Sequence, residues 1–281
     1  MMDTTGETES VRRLFLKPKF ELLPFRSAIH QSEFLPEAAT VTITASPAKG
    51  IEPVLEYAAT LAQRGFDVIP HIAARSVADE ANLERILDTI AQAGIARIFV
   101  IGGDSTDPGD FPDGLSLIQA IAGSGYPLPE IGIPAYPDDH PFISHETLRQ
   151  ALRDKQPYAS YMTTQMCFDP LTISNWIANI RSDGITLPIH VGIPGVAPIH
   201  KLINVSTQIG VGDSARFLLR HRRLLGRLMR RSTYSPERLA MGLSEVIADP
   251  TANIEALHIF TFNQVESFEE WRQDWLAAND G

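Results

Sequence analysis

Short, nearly continuous apolar runs alternate along this chain with longer segments whose apolar residues recur at helical spacing. The runs fall at 19–24 (KFELLP), 40–45 (TVTITA), 67–73 (DVIPHIA), 96–103 (ARIFVIGG), 130–137 (EIGIPAYP), 158–168 (YASYMTTQMCF), 187–195 (LPIHVGIPG) and 255–263 (EALHIFTFN). Between them, 52–64, 79–93, 113–122, 144–155, 170–182, 199–231 and 236–248 repeat apolar residues near i, i+3, i+4; in 79–93 the stripe is Leu83, Ile86, Leu87 and Ile90. A last amphipathic segment, 267–278, sets Phe268, Trp271 and Trp275 on one face. Strands apolar on both faces and separated by helices are what a parallel sheet covered on both sides requires. Eight such runs in 281 residues predict an α/β fold, a single-domain (β/α)8 TIM barrel over 18–281. An open Rossmann-like sheet is the alternative, weakened by the lack of a G-x-G-x-x-G after any run. Residues 1–17, polar and acidic at their start, read as a flexible N-terminal leader.

Composition narrows the function classes. With 44% apolar and 21% charged residues, the chain is of globular type and long enough to bury a core without a disulfide staple. Lys and Arg number 24 against 34 Asp and Glu, a formal charge of −10, which argues against bulk nucleic-acid binding. The one cysteine, Cys167, can form no internal disulfide and points to the reducing cytoplasm. The N-terminus lacks the apolar core of a signal peptide, and no run nears the roughly 18 apolar residues of a membrane span, so no membrane partner is expected.

In a barrel of this type the chemistry sits where the strands end. Those ends carry a polar set: Glu21, Thr44, His71, Asp104, Tyr136 with Asp138 and His140, Gln165 and Asn263. Each alone has a structural reading, such as a paired strand carboxylate, a strand-forming threonine or a satisfied core histidine. Their recurrence at one end of successive strands favours a site, because a barrel interior tolerates few polar groups that are neither paired nor functional.

The same strand ends carry a resemblance. The FELLP at 20–24, VTIT at 41–44, PHIA at 70–73, GGD at 102–104, AYPDDHP at 135–141, TQMCFD at 164–169, IPGVAP at 193–198 and FTFN at 260–263 stand in the order of the methylenetetrahydrofolate reductase family. The chain resembles that family over about 19–264, most specifically in AYP-x-x-HP and TQ-x-x-FD. The resemblance implies a flavin-dependent barrel with FAD as cofactor, NADH or NADPH as electron donor and 5,10-methylenetetrahydrofolate as substrate. It places the general acid at Glu21, which aids ring opening to a 5-iminium ion. Asp104 falls on the acid facing flavin and pterin, and Gln165 on the pterin contact. Leu202 takes the place of an aromatic substrate contact, and Gln264 that of an arginine near the folate's glutamate end. Thr44, His71, Gly103, Asp104, Ala135, Tyr136, His140 and Lys155 fall on positions around FAD. Gly102 stands where the family commonly has arginine, and Ala73 where it has threonine, which marks a divergent branch.

Other signals are weaker. Residues 216–231 hold seven arginines and read as a basic helical face, either solvated or gripping an anionic ligand tail. The histidine spacings match no usual zinc pattern, so no metal is expected. Gly210-Val-Gly212-Asp213 lacks Walker-A lysine spacing, there is no G-x-S-x-G elbow, and Cys167 reads as a buried mid-strand thiol. The activity that the resemblance implies is an NAD(P)H-dependent oxidoreductase of one-carbon metabolism feeding methionine biosynthesis. The alternatives are a non-redox folate-binding accessory barrel and a flavin-independent folate reductase. A homo-oligomer is compatible with all three.

Overall fold

The computed structural model describes residues 4–45, 50–127, 129–138, 140, 142–198, 202 and 233–280. The basic segment 216–231 and the Gly210–Asp213 turn lie outside them. In chain order the elements are α1 (Thr4–Leu16), β1 (Lys19–Leu22), α2 (Arg26–Gln31), β2 (Thr40–Ile43), α3 (Glu52–Gln63), β3 (Asp67–Ala73), α4 (Glu80–Gln92), β4 (Arg97–Ile101), α5 (Gly114–Gly123), β5 (Glu130–Ala135) and α6 (His145–Lys155). They continue with β6 (Tyr161–Thr164), α7 (Pro170–Ser182), β7 (Ile189–Pro194), the short β8 (Ala197–Pro198) and β9 (Thr233–Tyr234), α8 (Glu237–Gly242), α9 (Ser244–Ala248), β10 (Ile254–Phe260) and α10 (Val265–Ala278).

Eight parallel strands close into a barrel in the order β1, β10, β7, β6, β5, β4, β3, β2. The predicted (β/α)8 architecture is therefore the observed one, and closure excludes the open-sheet alternative. Alternation decides which residues face which layer. Phe20 and Leu22 of β1, Val41 and Ile43 of β2, and Leu257 and Ile259 of β10 join the core between barrel and helices. Their neighbours Lys19, Glu21, Thr42 and His258 occupy the intervening positions, which turn into the barrel. Acidic or hydroxyl caps start the helices just past the strand ends. Asp79 accepts from Asn82 N–H, Ser144 from Thr147 N–H, and Asp169 from Leu171 and Thr172 N–H, while Asp113 and Ser116 form a reciprocal capping box.

The barrel interior is layered. At the strand starts Asp67 pairs with Arg97 and accepts from the Thr40 hydroxyl at 2.8 Å. Beside them, His190 Nε2 lies 2.9 Å from Lys19 Nζ and 3.3 Å from Glu255 Oε2. Its ring accepts from the ammonium in one tautomer and donates to the carboxylate in the other. Above this layer Ile69, Phe99 and Tyr161 fill the centre. Gly132 makes room for them, since a Cβ there would stand 2.3 Å from the Tyr161 ring and 2.6 Å from that of Phe99.

Three local expectations give way. The segment read as a flexible leader contains α1, whose Val11, Leu14 and Phe15 are buried in the main core. Phe15 packs on Trp271 and Trp275 of α10, with ring centroids 5.3 and 5.0 Å apart. The single helix predicted at 236–248 is two, broken at Leu243. The run 158–168 is a strand only over Tyr161–Thr164, so Cys167 lies in the following loop, still buried, with its Sγ directed to Asp169 O at 3.6 Å. Among the described residues no helix is long and apolar enough to cross a membrane.

Candidate active site

Four neighbouring strands, β10, β1, β2 and β3, put His258, Glu21, Thr42 and His71 into the upper half of the barrel, toward the strand ends. The Glu21 carboxylate lies 3.1 Å from His258 Nε2, and the Thr261 hydroxyl donates to the Glu21 carbonyl at 2.5 Å. Around this carboxyl, Thr42 Oγ1, His71 Nε2 and His258 Nδ1 are all buried without a hydrogen-bond partner. Native interiors leave few such atoms, and a cluster of them marks a place where something else is meant to bond. Burial pushes His71 down to about 4, against the opposing pull of Glu21, so its ring is neutral at physiological pH. It stacks at a tilt on Phe99, centroids 4.6 Å apart.

A second group stands on the rim above β4 and β5. Asp104 is exposed, and its charge acts on Tyr136 and His140, whose rings meet edge to face at 5.2 Å. Burial raises the Tyr136 hydroxyl, with the Asp104 charge adding to the effect. The Gly102–Gly103 turn that carries Asp104 depends on glycine at 103, where φ is +86° and a Cβ would press to 3.0 Å from Ala73 Cβ. Lys155, the last residue of α6, reaches the same turn. A Cβ on Gly114 would lie 3.5 Å from its Nζ and 3.7 Å from Gly102 N. Burial lowers the Lys155 ammonium, and Asp113 and Asp154 oppose that shift.

The third group is apolar. Met166, Phe168, Ala197, Leu202 and Phe262 form a separate buried cluster beyond the ends of β6, β7 and β10. Leu202, expected as a substrate contact, is 2% exposed within it. Gln165 is half-buried at the end of β6, its Oε1 accepting from Met166 N–H at 2.8 Å. Gln264 donates to its neighbour's carbonyl, Asn263 O, at 3.1 Å. Thr44 is half-buried, its N–H donating to Leu22 O at 3.0 Å.

Not every predicted position faces the mouth. Ala135 belongs to the layer between barrel and helices; with Tyr136, Lys155, Arg149 and Trp176 it lines a cleft of about 390 Å³ beside α6 and α7. Asn263 serves the architecture: Oδ1 accepts from Leu23 N–H at 2.9 Å, and Nδ2 donates to Leu23 O at 3.2 Å and Ser27 Oγ at 3.0 Å. His258 was missed from sequence. Its inward register two residues before Phe260 was the available signal. Among the described residues no three His, Cys, Asp or Glu side chains converge as a metal site.

A closed parallel barrel whose polar side chains gather at the strand ends defines a TIM-barrel enzyme-type site. Residues 20–271 match methylenetetrahydrofolate reductase as a family. The chain belongs to that family, which supports a methylenetetrahydrofolate reductase-like function. Among solved structures, a plant class V chitinase mutant from Cycas revoluta is similar at TM-score 0.50 and 10% identity, over 94% of this chain and 100% of that one. A putative deoxyribose-phosphate aldolase from Toxoplasma gondii is similar at TM-score 0.48 and 9% identity, over 96% and 98%. The chitinase likeness reflects the shared barrel alone.

Proposed function

We propose that the protein is a flavin-dependent oxidoreductase of the cytoplasm that reduces 5,10-methylenetetrahydrofolate to 5-methyltetrahydrofolate, or runs the same couple in reverse, with NADH or NADPH as the electron partner. The observation that carries this reading is the Glu21 constellation: a half-buried carboxyl bonded to His258 and ringed by three unpartnered polar atoms. The β3–β5 rim suits FAD. Gly102 leaves open space above the turn, Lys155 supplies an ammonium beside it, and Tyr136 and His140 offer ring faces.

Bound there, the flavin would supply the hydride that no side chain can. The rest falls to the chain. Glu21 delivers a proton to the folate nitrogen that leaves when the methylene bridge opens, a role that typically contributes about 10²–10⁴-fold. His258 holds the carboxyl and shares its proton. Gln165, with Oε1 already engaged, keeps its amide N–H groups for the pterin edge. The neutral His71 ring and Asp104 would stand among the residues that hold the flavin, with Asp104 also available to the pterin.

Purified protein should show flavin absorbance, natively or after adding FAD. NADH or NADPH should bleach it, and methylenetetrahydrofolate should restore it. A preparation that stays colourless in excess FAD yet binds folate would overturn this reading in favour of a non-redox folate-binding barrel. Turnover by flavin-stripped protein would favour direct hydride transfer from nicotinamide.

A further inference from the structure

We propose that Arg75 is the residue that binds the phosphates of the dinucleotide cofactor, from a position rooted on the Gly102–Gly103 turn that Lys155 also approaches. The inference rests on the flavin reading above.

Arg75 sits in the 3-10 turn Ala74–Ser76 directly after β3. Its N–H donates to Gly102 O at 3.0 Å, and a Cβ on Gly103 would lie 3.7 Å from Arg75 Cβ. The root of this side chain is thus tied to the one turn that also borders Lys155 Nζ. At Gly102 and Gly103 the turn offers only backbone, with Asp104 exposed directly after them: Gly103 presses on Ala73, and a Cβ on Gly102 would meet nothing within 4 Å. Two cationic residues rooted or reaching beside one open glycine pair make a cradle for an anion that approaches the main chain closely.

Arg75 also lacks an occupation inside the protein. Its Nε is shielded from water and has no hydrogen-bond partner, and Arg75 makes no ion pair among the described residues. Arg12 and Arg149 share a shielded, unpartnered Nε, but they pair with carboxylates through their terminal nitrogens, as Arg97, Arg153 and Arg272 do; Arg75 has no such pair. A shielded guanidinium donor without an acceptor is costly, and the guanidinium fork matches phosphate oxygens. A pyrophosphate would be met by the terminal nitrogens of the half-buried side chain. A cation at 75 also accounts for how glycine at 102, with no charge of its own, is compatible with binding FAD.

Titrating apo-protein with FAD and following flavin fluorescence tests this without recourse to activity. Arg75→Gln should weaken FAD binding roughly 10- to 100-fold, the loss of a charge-assisted contact, and flatten its salt dependence. Arg75→Lys should weaken it less. The double variant Arg75→Gln/Gly102→Arg should recover part of the affinity, because the new side chain enters open space at the same turn. Recovery of this kind is not expected of a merely structural arginine. A loss that is as large in Arg75→Lys as in Arg75→Gln, and that Gly102→Arg does not lessen, would overturn the proposal. Unchanged FAD affinity in Arg75→Gln would also overturn it and leave the flavin reading standing. Wild-type protein that takes up no FAD at all would sink both.

Discussion

Glu21 and His258 lie 3.1 Å apart across neighbouring strands, although 237 residues separate them in sequence. One ring nitrogen of His258 faces the carboxyl, and the other is buried without a partner. Replacing His258 by Phe keeps a ring in the barrel and removes that partner. Folate-dependent reoxidation of the flavin is expected to slow by about 10-fold or more, while flavin reduction by nicotinamide stays near the wild-type rate. Single-turnover measurement of both half-reactions checks this. Equal slowing of the two would reduce His258 to a packing residue.

Acid stability follows from the buried histidines. Burial holds His71 and His190 near 4, so both are neutral in the fold, whereas in the unfolded chain they protonate below about 6.5. The unfolded state then binds more protons, and stability falls as pH drops from about 6.5 to 4, by about 3 kcal/mol for each fully desolvated ring. Glu255, held at about 2 by its bond from His190, extends the loss from about 4.5 downward. Lys19, pushed by burial to about 8, acts at the other end: stability rises with pH between about 8 and 10.5. Denaturant unfolding of wild type and His71→Phe at pH 7 and pH 5 should show the variant losing less. Parallel losses would mean that His71 is not neutral in the fold.

The N-terminal helix is a stability element. Phe15 is fully buried between the indoles of Trp271 and Trp275, and its carbonyl accepts from Arg272 Nη1 at 3.0 Å. Phe15→Ala should cost about 3–5 kcal/mol, read as a lower denaturation midpoint at unchanged slope. A loss below about 1 kcal/mol would return this segment to the status of a leader.

The barrel was legible because eight short, mostly apolar runs bounded by Gly, Pro or Asp alternate with longer segments of helical period, so length and punctuation separate strand from helix. The first helix was not. Its buried residues, Val11, Leu14 and Phe15, come at i, i+3, i+4, but they follow a polar acidic stretch and precede a strand at once, so one turn of signal was too little. The strand-end carboxyls and histidines were visible as a series, yet their sorting was not. Asn263 and Glu21 look equally functional in sequence, and only the left-handed backbone at Phe262 and Asn263 turns the amide onto Leu23. His258 stayed hidden because a histidine inside an apolar strand reads as core until register shows which carboxyl it meets.

Glu21→Gln separates the two halves of the proposed reaction. Hydride transfer from nicotinamide to flavin requires stacking and no side-chain acid, so an amide of the same shape should barely alter it. The folate half needs a proton delivered to a departing nitrogen, and glutamine has none of suitable acidity. General-acid assistance is worth about 10²–10⁴-fold, roughly 3–5 kcal/mol, and that is the expected loss in stopped-flow reoxidation by methylenetetrahydrofolate. Folate affinity should change by far less, because the amide can still pair with His258. Should the variant reoxidise at the wild-type rate, Glu21 is excluded as donor, and the proton must come from Asp104 or from water.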